Sequence, residues 1–371
     1  MTPDYFSGSY SVEDVRFLLK PIRIEHTPVK AKEALIQAGK KHYSQMLTHE
    51  KRPSQDYLDL FSCALSDNRA LVARHTLILA KKISETRRNG IVLVSLMRAG
   101  TPVGVLLKRM LGRYFGIDAA HYSVSIMRDV GIDENALRHI LAHHAPDSLA
   151  FVDGWTGKGV ISRQLEISLK RFADKHGIVV PPELYVLSDL AGTAFVSASA
   201  EDYLIPSSIL NATVSGLVSR SVIDKAQLLE TDYHGCHFYR DYADADLSRD
   251  FVDSIMSAAD EIMTQPASPR FDPELRLSGE AVPKQVLKEQ SRRFLAWIRD
   301  SYGVADQNLI KPGIGESTRV FLRREADLLL VRAREDAAVK HLIYLAETKN
   351  IPIKACPDLP YRAVALIKEL T

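Results

Sequence analysis

The chain has 371 residues, 46% hydrophobic and 25% charged, with a net charge of +2. That balance belongs to a folded globular protein of about two domains and leaves ample material for a core. Nothing in it approaches 18 uninterrupted apolar residues, so no membrane span is expected. Cys63, Cys236 and Cys356 lie far apart without a CxxC pair, which excludes a disulfide framework and a zinc site and suits a reducing compartment. The first residues lack a basic start followed by an apolar run, so no secretory signal is expected and the cytoplasm is the default.

Residues 1–30 read as irregular, and residues 31–48 and 55–89 as helices from the spacing of apolar positions such as Leu58, Phe61, Leu65 and Leu77. Ile91–Leu96 is a short, nearly all-apolar run that reads as a buried parallel strand. A helix over Thr101–Phe115, a strand over Tyr122–Ile126 and a short helix closing at His139–His144 follow. Leu149–Asp153 is a second buried strand, Val160–His176 a long amphipathic helix, and Leu184–Ser188 a further strand. Strands alternating with helices predict an α/β fold with a doubly wound parallel sheet. In such sheets ligands sit beyond the carboxyl ends of the strands, here the loops after Leu96, Ile126, Val152 and Ser188.

A segment with four prolines at 264–283 reads as a linker, dividing a first domain (1–263) from a second (284–371). The second is predicted to hold a helix with Trp297, a turn at Lys311-Pro312-Gly313, a helix from Glu316 and the strand Leu328–Val331. A helix at 336–349, a strand at Ile351–Ile353 and a last helix beginning at Leu359–Arg362 complete it. From Lys284 onward, 16 Lys and Arg stand against 11 Asp and Glu, an excess of five positive charges that leaves the remainder at −3. A basic tail on a mildly acidic body suits a polyanion-binding module.

Phe151-Val152-Asp153-Gly154-Trp155-Thr156-Gly157-Lys158-Gly159 reads as a strand, an acid, a Gly-rich turn and a helix start. That geometry aims backbone N–H groups and a helix N-terminus at one point, which suits phosphate. It is not a nucleotide P-loop, because Gly159 stands where a magnesium-binding hydroxyl would be needed.

The turn resembles the phosphoribosyl-pyrophosphate (PRPP) loop of type I phosphoribosyltransferases. The resemblance implies that Asp153 takes the ribose hydroxyls, with Gly154 beside it in the same PRPP-binding turn, and that Thr156, Gly157, Lys158 and Gly159 cradle the 5′-phosphate. This chain has one acid where that family has two adjacent ones. Arg98-Ala99-Gly100, after the strand at 91–96, is similar to the family's pyrophosphate loop, with Arg98 on the diphosphate. Arg128 falls where the family keeps its mobile catalytic loop. The implied chemistry is displacement at the ribose C1 carbon, with Mg2+ carried by the sugar phosphate and no metal site of protein ligands alone. Asp202–Gly216, rich in small hydroxyl residues, is a candidate acceptor pocket.

Lys311-Pro312-Gly313-Ile314-Gly315-Glu316-Ser317-Thr318-Arg319 resembles the RNA-contacting turn of the ribosomal-protein and Pelota kink-turn-binding superfamily. The resemblance implies a small α/β RNA-binding domain in which Lys311 and Arg319 meet phosphates, Gly313 and Gly315 shape the turn, and Glu316 reads a base edge. Gly315 replaces the usual Asn. Arg323 and Arg324 extend that basic face, with Arg332 and Arg334 after the next strand.

End to end, through GSYSVEDVRFLLKP, VDGWTGKG and DLPYRAVALI, the chain is similar to a bacterial family of tellurite- and stress-response gene clusters. That family joins a phosphoribosyltransferase-like domain to a Pelota domain and is also called the cysteine protease StiP family. The expected function is therefore phosphoribosyl transfer to an acceptor the sequence does not identify, with RNA as a second partner. Homodimers are common among such enzymes. Two alternatives stay open: a non-catalytic PRPP or nucleotide sensor, and a cysteine protease whose nucleophile is Cys236, inside Tyr233-His234-Gly235-Cys236-His237, or Cys63.

Overall fold

The structure is a computed structural model and describes residues 5–87, 89–264, 282–304 and 306–369. Most of the expected linker at 264–283 lies outside the described residues.

The first domain is built on strands β1 (Arg16–Leu18), β2 (Val92–Leu96), β3 (Ala120–Val124), β4 (Leu149–Thr156), β5 (Leu184–Asp189) and β6 (Val196–Ser199). They form one sheet in the order β1-β3-β2-β4-β5-β6, and every pairing is parallel. Its helices are α1 (Val29–Gln37), α2 (Gln55–Thr86), α3 (Gly100–Phe115), α4 (Glu134–Leu141), α5 (Val160–His176) and α6 (Ser248–Thr264).

The sheet is covered on both faces because its strands carry apolar side chains on both. Leu93, Ala150, Val152, Tyr185 and Leu187 enter one core with residues of α2, α3 and α6. Their strand neighbours Val92, Val94, Leu149, Phe151, Leu184 and Val186 enter another, with Leu137 and Ile140 of α4 and Leu165, Leu169 and Phe172 of α5. The period-two alternation of buried residues is what sorts them.

The strand order places the chemistry. From β2 the chain moves outward one way to β3; from β4 it moves the other way to β5. The reversal opens a crevice between the carboxyl ends of β2 and β4, the usual ligand position in doubly wound sheets. The loops leaving these strands carry Arg98 and the Gly157–Gly159 turn.

The second domain opens with α7 (Lys284–Tyr302). It continues through β7 (Ile310–Pro312), α8 (Ile314–Arg323), β8 (Ala326–Val331), α9 (Lys340–Thr348), β9 (Ile353–Ala355) and β10 (Ala363–Ile367). The sheet order is β7-β10-β8-β9.

Several expected elements are corrected. The last helix expected from Leu359 is instead β10, a strand paired antiparallel on both sides, with Ala363–Ile367 all buried. An uninterrupted apolar run in a central strand cannot be told from a buried helix by periodicity alone. Lys311-Pro312 is edge strand, where a proline costs no ladder hydrogen bond, and the turn falls at Gly313. The helix expected over 31–48 stops at Gln37, and only a 3-10 turn at Tyr43–Gln45 follows. The expected strand Ile351–Ile353 shifts to Ile353–Ala355. β1, β6 and α6 were not foreseen.

Candidate anion-binding site

β4 runs on through Gly154 and Trp155 to Thr156, so the Gly-rich turn proper is only Gly157-Lys158-Gly159. The Thr156 hydroxyl accepts the Gly159 N–H at 3.1 Å, which fastens the turn to the strand it leaves. Gly159 caps α5 at φ +71, a left-handed conformation that a side chain would strain, and a Cβ there would collide with Thr193. Asp153, just before, is buried, and one of its carboxylate oxygens accepts the Gly154 N–H at 2.7 Å. Burial pushes its carboxyl up to about 6, against the pull of the Arg319 guanidinium.

The neighbouring loop is occupied by its own contacts. Arg98 is buried, ion-paired with Glu50 at 2.6 Å, and donates to the Val218 carbonyl at 3.1 Å and the Asn211 side-chain oxygen at 2.9 Å. Its guanidinium thus binds the segment proposed as acceptor pocket. Ala99 and Gly100 pack against the Val152–Gly154 backbone, with a Cβ on Gly100 excluded by the Val152 carbonyl and Asp153. Arg128 is fixed as well: its backbone N–H donates to the Tyr43 hydroxyl at 2.7 Å and its guanidinium to the Asn308 side chain at 2.9 Å.

The turn expected to meet RNA lies against this crevice. A Cβ on Gly157 would fall 2.9 Å from the Pro312 carbonyl oxygen and 3.1 Å from Glu316 Cγ. Gly315 rests on the Trp155 indole so closely that a Cβ would overlap the ring. The Arg319 guanidinium lies 4.4 Å from the Trp155 ring centroid and pairs with Glu316 at 2.8 Å. Asp202 clamps the arrangement by accepting the Ile314 N–H at 2.9 Å and the Arg362 N–H at 2.7 Å, so this end of the acceptor-pocket stretch is a domain fastener. Gly313, at φ +88, closes over the Asp202 carboxylate. Arg323 donates to Asn211, Arg324 pairs with Glu33, and the Lys158 ammonium donates to the Gln307 carbonyl.

Between the domains lies a cavity of about 280 Å³ walled by the Thr156–Gly159 turn, Asp153, Glu316 and Trp155, with Lys32, Arg128, Lys158, Arg220, Lys311, Arg319, Arg323 and Arg324 around them. A second, of about 180 Å³, adjoins it and shares Asp153, Trp155, Arg220, Arg319 and Arg323. The cations burden one another. Burial pushes Lys158 down to about 7, with Lys311 adding to the effect. Burial likewise takes Lys311 down to about 8, and Lys32 to about 7 with help from Arg220. Burial alone would raise the Glu316 carboxyl, but Arg319, Lys311 and Lys158 outweigh it and hold it below the usual range. The Trp155 indole N–H, buried at this wall, has no hydrogen-bond partner.

Lys32, Arg220 and Glu50 belong to the site and were not foreseen. They come from segments without motif character and reach it only through the fold.

Among the cysteines, Cys236 is fully buried and burial pushes its thiol far up, while Cys63 is exposed on α2. Among the described residues no hydrogen bond joins a cysteine to a histidine, and no cluster of three or more His, Cys, Asp or Glu could hold a metal. No helix among them is long and apolar enough to cross a membrane.

Residues 8–256 match the family described as tellurite-like stress resistance cysteine protease StiP, and residues 289–369 match the PELOTA RNA binding domain. A relative named cysteine protease StiP, from Acinetobacter baylyi (strain ATCC 33305 / BD413 / ADP1), is 39% identical over 375 residues, covering 98% of this chain and 95% of its own. The chain belongs to the StiP family. Similar solved structures include the hypoxanthine phosphoribosyltransferase of Trypanosoma cruzi, at 14% identity and TM-score 0.26 over 36% of this chain and 82% of that one. The xanthine-guanine-hypoxanthine phosphoribosyltransferase of Helicobacter pylori is similar at 20% identity and TM-score 0.21, over 32% and 70% of the two chains.

Proposed function

We propose that the protein binds a phosphorylated ribose, PRPP, in the cleft between its domains and transfers the phosphoribosyl group to an acceptor, with RNA a second partner of the C-terminal domain. The carrying observation is the cleft itself: a Gly-rich turn at the sheet's switch point, facing eight basic side chains against the acids Asp153 and Glu316. The Gly157–Gly159 backbone and Lys158 would hold the 5′-phosphate, and Asp153 the ribose hydroxyls. Arg128 would face the departing diphosphate in the role first expected of Arg98, whose guanidinium is committed to Glu50. Displacement at C1 develops positive charge on the ribose and negative charge on the diphosphate, and fixed cations favour the second. The residues fit magnesium only as an ion carried on the ligand, since Asp153 and Glu316 are the carboxylates of the cleft wall. When bound, Mg2+ would neutralise diphosphate charge.

The names of the family and of the relative at 39% identity favour a second reading, a cysteine protease. A low-pKa thiol beside a histidine is what that chemistry needs. Burial sets Cys236 against it, and the exposed Cys63 is the better candidate.

Calorimetric titration of PRPP with magnesium into wild type and Asp153→Asn, followed by a diphosphate-release assay, separates these readings. Binding that the substitution abolishes, with release on adding an acceptor, supports transfer. Binding without release leaves a sensor. No binding at millimolar PRPP, with proteolysis of casein lost in Cys63→Ala, gives the protease.

A further inference from the structure

The C-terminal turn lies where its expected partner, RNA, has little room. Lys311, Glu316 and Arg319 are half-buried against the first domain, and Pro312 and Glu316 lie over Gly157. Ordinary docking of two domains would pair such charges. Here Glu316 pairs with Arg319, and Lys158 reaches only a main-chain carbonyl. The Lys311 ammonium stands near Lys158, Arg128 and Arg319 with Glu316 as the acid beside it. Burying like charges together is costly unless an anion joins them.

A second observation is independent of charge. The Trp155 indole N–H, buried at the same wall, lacks a partner although a buried donor ordinarily has one. Gly157 and Gly315 keep the two turns close, and a side chain on either would separate them.

We infer that the two turns are two halves of one phosphate site, in which Lys311 and Arg319 of the C-terminal domain bind the phosphates held on the other side by Gly157–Gly159 and Lys158. The first domain alone is then an incomplete site. The C-terminal turn serves either the phosphates in the cleft or an RNA, and the two ligands exclude each other. This rests on the reading of the cleft as a sugar-phosphate site, and goes beyond it in giving the second domain part of the binding.

The test titrates PRPP with magnesium, and separately inorganic diphosphate, into the full chain. Wild type is compared with Lys158→Ala, Lys311→Met and, as a control, Arg299→Ala, whose exposed side chain on α7 pairs with Asp300 and is not part of the cleft wall. Losing one charged phosphate contact should weaken binding by about tenfold to a hundredfold in Lys158→Ala and Lys311→Met alike. Arg299→Ala should match wild type. Binding lost in Lys158→Ala but within about twofold of wild type in Lys311→Met would overturn this inference and leave the proposed site standing. Failure of wild type to bind either probe would overturn both. Should Lys311→Met not fold, lysine acetylation of wild type followed by mass spectrometry decides. Diphosphate should protect Lys158 and Lys311 together, and protection of Lys158 alone sinks the idea. Diphosphate should also displace a labelled RNA stem-loop from wild type, whereas simultaneous binding of both would refute the exclusion.

Discussion

The two loops that flank the switch point make an instructive pair. Both leave a buried parallel strand, both open a helix and both carry a cation, Arg98 in one and Lys158 in the other. The first is closed by its own chain: Glu50, Asn211 and the Val218 carbonyl hold the Arg98 guanidinium from three sides. The second meets the cavity, and Lys158 reaches only the Gln307 carbonyl. A strand–turn–helix motif therefore marks a place where phosphate fits. Whether the cation there is available depends on partners many residues away.

The largest effect should come from breaking the closed loop. Arg98→Ala leaves the Glu50 carboxylate buried, with the Ala212 N–H still on it but no counter-charge from Arg98. Removing one partner of a buried pair costs about 3–5 kcal/mol. Lys158→Ala should change stability by less than about 1 kcal/mol, because it trades one hydrogen bond for relief of a buried cation. Urea unfolding of the ligand-free proteins checks both, and equal costs would abolish the distinction between the loops.

Asp153→Asn should act in the opposite direction. The carboxyl moves from 3.8 in the unfolded chain to about 6 in the fold, so the folded state holds the extra proton between those values. Its charge is a burden fully present above pH 6 and gone below about pH 4. The amide should therefore stabilise the ligand-free protein by up to about 3 kcal/mol at pH 7.5, with the gain vanishing at pH 4, while ligand binding is lost. A gain independent of pH would point to packing instead.

Gly315→Ala probes the contact between the domains. The added methyl would overlap the Trp155 ring, and relief requires the turns to part. Overpacking of this kind costs about 1–3 kcal/mol. The tryptophan fluorescence of Trp155 should change with it, because Arg319 no longer covers the ring.

Much of the frame was legible in the residues. Val160–His176 has the bounds the sequence predicts, and β2, β4 and β5 fall where short apolar runs place them. What was not legible has physical causes. β6 is a four-residue edge strand, Val-Ser-Ala-Ser, too short and too polar to stand out. Ala363–Ile367 is apolar in every position, so it lacks the alternation that would separate strand from helix. At the site, Asp153 and the Gly157–Gly159 turn announce themselves by local pattern, and so does the Lys311–Arg319 turn. Their meeting does not, because nothing local encodes the face that one domain turns toward another.

That meeting has a measurable pH signature of its own. Lys158 and Lys311 have their ammonium groups pushed down to about 7 and about 8, so raising the pH through that window neutralises them in the free protein. A bound phosphate favours the charged forms, so binding must take up protons wherever the free lysines have lost them. Affinity for diphosphate should therefore fall between pH 7 and 9, by at most about tenfold per pH unit for each lysine, and level off below pH 6.5. Calorimetry in buffers of different ionisation enthalpy reads the proton uptake directly. In Lys311→Met the upper part of the window should disappear while the fall near pH 7 remains, because Lys158 and Lys32 are left to titrate there. An unchanged profile would mean that Lys311 takes no part, and the two turns would then be neighbours without a shared ligand.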